Sequence, residues 1–188
     1  MSTSLRYTTS DLEGLPTIDG VRYEIIDGEL YVSKSLDWHH QFVSSQIWRA
    51  LQDWSDQTGA GLAILAPGVV FAPDDNVVPD VVWISQARLP HIFTASGHLR
   101  AAPELVVEVL SPGADNERRD RELKLKLYSR QGVQEYWLID WQLQTVQVYR
   151  RADGVLTLIA TLIDQDLLTS PLLPGFACPL PRIWAPAV

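Results

Sequence analysis

Residues 105–110 read Leu-Val-Val-Glu-Val-Leu, an apolar run with one carboxylate set in its middle. A run of this length and composition predicts a buried strand. Strand alternation puts Leu105, Val107 and Val109 on one face and Val106, Glu108 and Leu110 on the other. A carboxylate held among branched aliphatics loses its hydration. It must be paired, protonated or bound to a metal.

Two polar anomalies flank this strand in sequence. Upstream, Val77-Val78-Pro79-Asp80-Val81-Val82-Trp83-Ile84 predicts a second strand with Asp80 just inside its start. Downstream, Asp115 or Asn116 can cap a helix running to about Gln131, with Gly132 as its stop. At 100° per residue, Leu123, Leu127 and Tyr128 form its apolar face, and Asp120 and Lys124 fall in the same sector. Arg118, Arg119, Glu122 and Lys126 point elsewhere. A plain reading of Asp120 and Lys124 is a solvated pair with the lysine snorkelling to water. Beside Asp80 and Glu108 they instead converge, if the helix packs back on the sheet face of Glu108.

Outward from this centre the chain reads as strands around two helices. Thr9 or Ser10 can cap a short helix through 11–15, stopped by Pro16. Asp27-Gly28 between residues 21–26 and 29–32 is a type I′ hairpin signal, and alternation sets Glu24 with Arg22 and Ile26 on one face. A helix is predicted from Trp38 to Thr58, with Asp37 as N-cap and Gly59 past its end. Val43, Ile47, Ala50, Leu51 and Trp54 form its stripe. His40 lies on that stripe, either as a hydrogen-bonded histidine at the core edge or as a residue near an active site. Residues 61–71 predict one or two strands broken at Pro67-Gly68, and residues 73–76 a turn. Residues 85–102 form a long connection whose His91 and His98 read as surface residues. Residues 135–140, 145–150 and 155–159 predict an antiparallel meander, and a proline-rich segment, 170–176, packs on the body.

The chain has 188 residues, 46% of them apolar, and a formal net charge of −8. Length and composition predict one globular domain over residues 1–188. The acidic balance argues against broad, non-specific attraction to nucleic acid, though not against metal-dependent nuclease chemistry. No stretch is long and apolar enough to span a bilayer, and residues 1–6 lack a signal core, so the expected location is cytoplasmic. The single cysteine, Cys178, excludes an internal disulfide and a multi-cysteine zinc site.

Pro79-Asp80, Glu108 in Val-Glu-Val-Leu-Ser-Pro, Asp120 and Lys124 in Arg-Asp-Arg-Glu-Leu-Lys-Leu-Lys-Leu-Tyr, and residues 135–140 together closely resemble the Uma-type restriction endonuclease family of the PD-(D/E)XK nuclease superfamily. Residues 23–30, His40-Gln41 and Ser170–Phe176 resemble its terminal signatures, and the resemblance implies a domain core at about 20–182. The resemblance implies an α/β, restriction endonuclease-like fold: a central mixed sheet flanked by helices, with an N-terminal hairpin and a C-terminal antiparallel meander. It implies a Mg²⁺- or Mn²⁺-dependent endonuclease acting on phosphodiesters, with DNA as the expected substrate. Asp80 and Glu108 would be metal ligands, joined by the Val109 carbonyl. One departure stands out. The superfamily's Glu-x-Lys pattern puts lysine at 110, where this chain has Leu110. The resemblance moves the lysine to Lys124, with Lys126 as the alternative. Asp120 would hold Lys124. Glu24 would complete the acidic site or bind a second ion, and His40 would contact phosphate or orient Glu24. Duplex cutting by this fold points to a homodimer, with Trp141 and Trp137 as candidate interface residues. Two other readings remain open on sequence: a non-catalytic nuclease fold serving as a binding or assembly module, and a structural salt-bridge cluster in an unrelated fold.

Overall fold

The structure, a computed structural model, describes residues 5–34 and 37–186. A short helix, α1 (Thr9–Leu12), leads in. Its cap is Thr8 rather than Thr9 or Ser10, because the Thr8 amide and hydroxyl both donate to Asp11 Oδ2, at 2.7 and 2.8 Å. Strands β1 (Arg22–Ile26) and β2 (Glu29–Ser33) then pair antiparallel across Asp27-Gly28. Both turn residues have positive φ, 50° and 76°, as a type I′ turn requires.

Helix α2 (Trp38–Thr58) has the predicted bounds. Asp37 accepts from the His39 amide at its start, and Gly59 ends it at φ 67°. Strands β3 (Gly61–Leu65) and β4 (Val69–Ala72) follow, parted at Ala66-Pro67-Gly68 and placed in different sheets. The expected turn at 73–76 is instead partly a strand, β5 (Asp75–Val77). Asp75 is buried there because its two carboxylate oxygens accept from the Asp27 amide at 2.9 Å and from Arg130 at 2.7 Å. The run Val77–Ile84 is therefore two strands, not one. β5 ends at Val77, and β6 (Val81–Ser85) begins a second sheet. Pro79 cannot donate to a ladder, so the chain changes sheets there. Asp80 stands at the threshold of β6 rather than inside it.

A short helix, α3 (Leu89–Ile92), interrupts the long connection, which keeps His91 and His98 exposed while burying Ile92 and Leu99. Strand β7 (Leu105–Val109) carries Glu108. The helix after it has three parts. They are α4 (Ala114–Arg118), a π-helical segment (Arg119–Lys124) and α5 (Leu125–Gln131), closed by Gly132 at φ 93°. Strands β8 (Glu135–Asp140), β9 (Thr145–Ala152) and β10 (Val155–Leu162) make the meander, with longer arms than predicted. A small pair, β11 (Leu167–Leu168) and β12 (Cys178–Pro179), brackets the proline-rich segment.

The central sheet has the order β10-β9-β8-β7-β6-β3 and is mixed, with β7 and β8 parallel and the other neighbours antiparallel. A second, antiparallel sheet has the order β2-β1-β5-β4. Both faces of β7 are covered. Leu105, Val107 and Val109 pack with Val43, Ile47 and Leu51 of α2. Val106 and Leu110 pack with Leu127, Tyr128 and Tyr136. The alternation read from the sequence holds, and it puts Glu108 on the face that α5 and the smaller sheet cover. Trp137 is fully buried and stacks on Phe176, so it cannot line an interface. Among the described residues, no helix is long and apolar enough to cross a membrane.

Candidate active site at the carboxyl end of strand β7

Lys124 is 1% exposed, and its ammonium sits among three carboxylates. Nζ lies 2.9 Å from Glu24 Oε1, 3.0 Å from Glu108 Oε1 and 3.6 Å from Asp120 Oδ1. Each acid arrives from a different segment: β1, β7 and the π-helical turn. Tyr128 adds a hydroxyl that donates to Glu108 Oε1 at 2.6 Å. Arg119 Nε meets Asp120 Oδ1 at 3.1 Å and Glu24 Oε2 at 3.8 Å.

Asp80 closes the other side. Its Oδ2 accepts from the Val109 amide at 2.9 Å and lies 3.1 Å from His40 Nε2, and its Oδ1 lies 3.3 Å from Arg22. This bond ties the sheet-switching residue to the end of β7. In an extended strand the N–H and C=O of one residue point the same way, so the Val109 carbonyl also faces the Asp80 side. The His40 ring is 2% exposed and belongs to Asp80 rather than to Glu24. Glu24 is held instead by the Val78 amide at 2.8 Å.

The four acids are not in equivalent environments. Burial pushes the Glu108 carboxyl up to about 8, with Lys124 opposing and Asp80, Asp120 and Glu24 adding to the rise. Burial raises Asp120 as well, against Lys124 and Arg119. Burial also works against the Asp80 anion, but His40 and Arg22 outweigh it and hold that carboxyl well below the usual range. Glu24 is likewise held low by Lys124 and Arg119 despite burial. Lys124 is desolvated yet held above its ordinary value by Glu108, Glu24 and Asp120. Four carboxyl groups thus face three permanent cations: Arg22, Arg119 and Lys124.

A family model named Uma2 and described as "Putative restriction endonuclease" matches residues 9–181. The chain belongs to the Uma2 family. Among solved structures, this Uma2 member is similar to a nuclease from Anabaena variabilis titled as putative and as belonging to DUF820. The TM-score is 0.76 at 21% identity, over 94% of this chain and 96% of that one. That likeness shows a shared fold. A weaker match, to the type IIG restriction endonuclease BpuSI, has a TM-score of 0.38 at 14% identity, over 59% of this chain and 12% of that one. No curated protein matches the chain.

Every site residue expected from the Uma2 sequence meets in this one cluster: Glu24, His40, Asp80, Glu108, Val109, Asp120 and Lys124. Lys126 is exposed, as the wheel indicated. Three participants escaped the sequence reading. Arg119 was placed outward, yet it is 6% exposed. The cause is the π-helical segment, in which i and i+5 stack, so Arg119 and Lys124 come to one side. Tyr128 was legible only as an apolar residue. Arg22 shares a strand face with Glu24, and that alternation was the one available signal for it.

Proposed function

We propose that this Uma2 member is a metal-dependent endonuclease that hydrolyses phosphodiester bonds in DNA. The observation that carries the reading is the buried Lys124 ammonium, shared by carboxylates from three segments beside Asp80. Paired buried ions are often replaceable by apolar residues without loss of stability. An excess of acid around one lysine has no structural economy and suits phosphate chemistry at a cation.

The donor set fits a hard divalent cation. Asp80, Glu108 and the Val109 carbonyl are oxygen donors, and the carboxyls outnumber the permanent cations. No three His, Cys, Asp or Glu side chains are spaced to hold a metal ion among the described residues. Mg²⁺ is commonly held by one or two carboxylates with its waters retained, and the set here matches that pattern. Bound there, Mg²⁺ or Mn²⁺ would act as a Lewis acid on the scissile phosphate and acidify a water.

The protein's own groups have separable tasks. Lys124 stabilises negative charge that grows on the phosphate, inside a site where water is scarce. Asp120 and Glu24 position Lys124 and keep it charged. Tyr128 fixes one oxygen of Glu108 and leaves the other for a ligand. Arg22, His40 and the Val109 amide orient Asp80. Cutting both strands of a duplex calls for two such sites, and so for a homodimer.

Cleavage of supercoiled plasmid with Mn²⁺ or Mg²⁺ tests the reading. Wild type should nick or linearise it, and Glu108→Gln and Lys124→Ala should not. A fully active Glu108→Gln protein would sink the assignment. Metal binding without cleavage of any nucleic acid would move the reading to a binding module.

A further inference from the structure

Three aromatic rings stand in a row beside the site, and the chemistry described so far does not use them. His39 stacks on Trp141 with centroids 4.5 Å apart and planes at 7°. Trp38 leans over the other side of His39 at 3.8 Å and 31°. The Asp37 carboxylate engages the His39 ring nitrogen and fixes its orientation. Trp141 donates to the Leu110 carbonyl at 3.1 Å, which anchors the far end of the row to the residue after β7. The outer rung, Trp38, is 46% exposed.

Trp141 packs against the hydrophobic core, and Trp38, at the other end of the row, stands outside it. Two hollows adjoin the first turn of α2. One, of about 240 Å³, is lined by Ser33, Lys34, Asp37, His40, Ser111 and Asn116. It opens onto His40, the partner of Asp80. The other, of about 410 Å³, is lined by His39, Val43, Trp141, Gln142 and Gln144. The first hollow offers an ammonium, two hydroxyls and an amide beside His40, groups suited to a phosphate, and its one carboxylate, Asp37, is engaged by the His39 amide and ring. Trp38, two residues before His40 on α2, then presents an exposed aromatic side chain. A polynucleotide has the same order, a phosphate followed by a planar base.

We infer that Trp38, backed by His39 and Trp141, is a stacking platform for an unpaired nucleotide next to the scissile phosphate. The preferred substrate is therefore a single strand, a frayed end or a flap. Bases in a closed duplex are stacked on both faces and have none to offer unless they are extruded. Stacking of a base on an exposed aromatic side chain tolerates any base and contributes substantially to single-strand affinity. Trp38 would act on substrate choice and leave the cleavage chemistry to Lys124 and the acids. The inference rests on the nuclease reading above.

The test is anisotropy binding of labelled 12-nucleotide strands to the full chain, with Ca²⁺ in place of Mg²⁺ so that affinity is read apart from turnover. Trp38→Ala should weaken a base-bearing strand by about ten-fold or more. It should leave a strand made abasic throughout within about two-fold, a non-additivity that marks a base contact. Trp38→Phe should recover most of the loss, and the thermal midpoint should not move. A loss on either a DNA or an RNA strand supports the platform, since the two share their bases. Equal weakening of the normal and abasic strands, or of neither, overturns the inference and leaves plasmid cleavage as evidence for the nuclease. Failure of wild type to bind any strand likewise overturns the inference and leaves the nuclease reading to plasmid cleavage.

Discussion

Two glutamates are buried in the adjacent parallel strands β7 and β8, and they are treated in opposite ways. Glu135 is 0% exposed, and its oxygens are shared among Trp137 Nε1 at 2.6 Å, Arg150 Nε at 3.0 Å and Ser170 Oγ at 3.0 Å. One carboxylate there has one cation and two neutral donors for itself. Glu108, 2% exposed, must share Lys124 with Glu24 and Asp120. Both were carboxylates in an apolar setting, and burial alone does not tell them apart. Saturation does. An acid whose donors match its charge is holding the fold together, and an acid kept short of cations is available to a ligand.

The sharpest way to break this comparison is to remove each cation. Lys124→Ala strands three buried carboxylates, and we expect it to cost about 3–5 kcal/mol in urea unfolding and to lower cleavage by at least about 100-fold. Arg150→Ala strands one carboxylate that keeps two neutral donors. The expected cost is about 1–3 kcal/mol, with cleavage unchanged in the folded protein. Equal stability costs for the two variants would end the distinction.

A second test uses pH. Because Glu108 is held up to about 8, the folded metal-free protein binds more protons than the unfolded chain between the ordinary Glu value of 4.5 and about 8. Its stability is therefore fully present below the lower value and falls as pH rises through that window. Asp120 is shifted the same way and adds to the slope. Asp80 and Glu24 are shifted oppositely, so their contribution is lost only in acid, below the usual carboxylate range. Glu108→Gln should flatten the neutral slope, and saturating Mg²⁺ should flatten it in wild type alone. A melting temperature independent of pH from 5 to 8, read in roughly unit steps, would contradict the linkage.

The smallest expected effect belongs to the lysine two positions on. Lys126→Ala should stay within about 0.5 kcal/mol of wild type and cut plasmid normally. Loss of cutting in that variant would return the catalytic assignment to the alternative that the sequence left open.

The legible parts of the molecule were those fixed by local chemistry. Asp27-Gly28 demands its turn, Asp37 and Gly59 punctuate α2, and an acid inside Leu-Val-Val-Glu-Val-Leu announces itself. The parts missed depend on contacts from far along the chain. Asp74-Asp75-Asn76 reads as a turn, and the distant partners of Asp75, the Asp27 amide and Arg130, 55 residues beyond it, make it fit a strand. Pro79 was visible, but its role as the passage between two sheets was not. Trp137 reads equally well as core or interface until Phe176 is seen against it. Arg119 was misplaced because a wheel of fixed pitch cannot register a local change of pitch.

That change of pitch also bears on how this chain is compared with others. A turn closed by i→i+5 bonds holds one more residue than a turn closed by i→i+4. Residues 119–124 therefore act as a one-residue insertion in an otherwise continuous helix, with Tyr136 donating its hydroxyl to the Asp120 carbonyl inside it at 3.0 Å. A relative with an unbroken α-helix here would need a single gap within these six residues to keep Lys124 and Tyr128 in their columns. An ungapped alignment would match Lys124 to a residue facing another direction, and an intact buried lysine would be scored as lost.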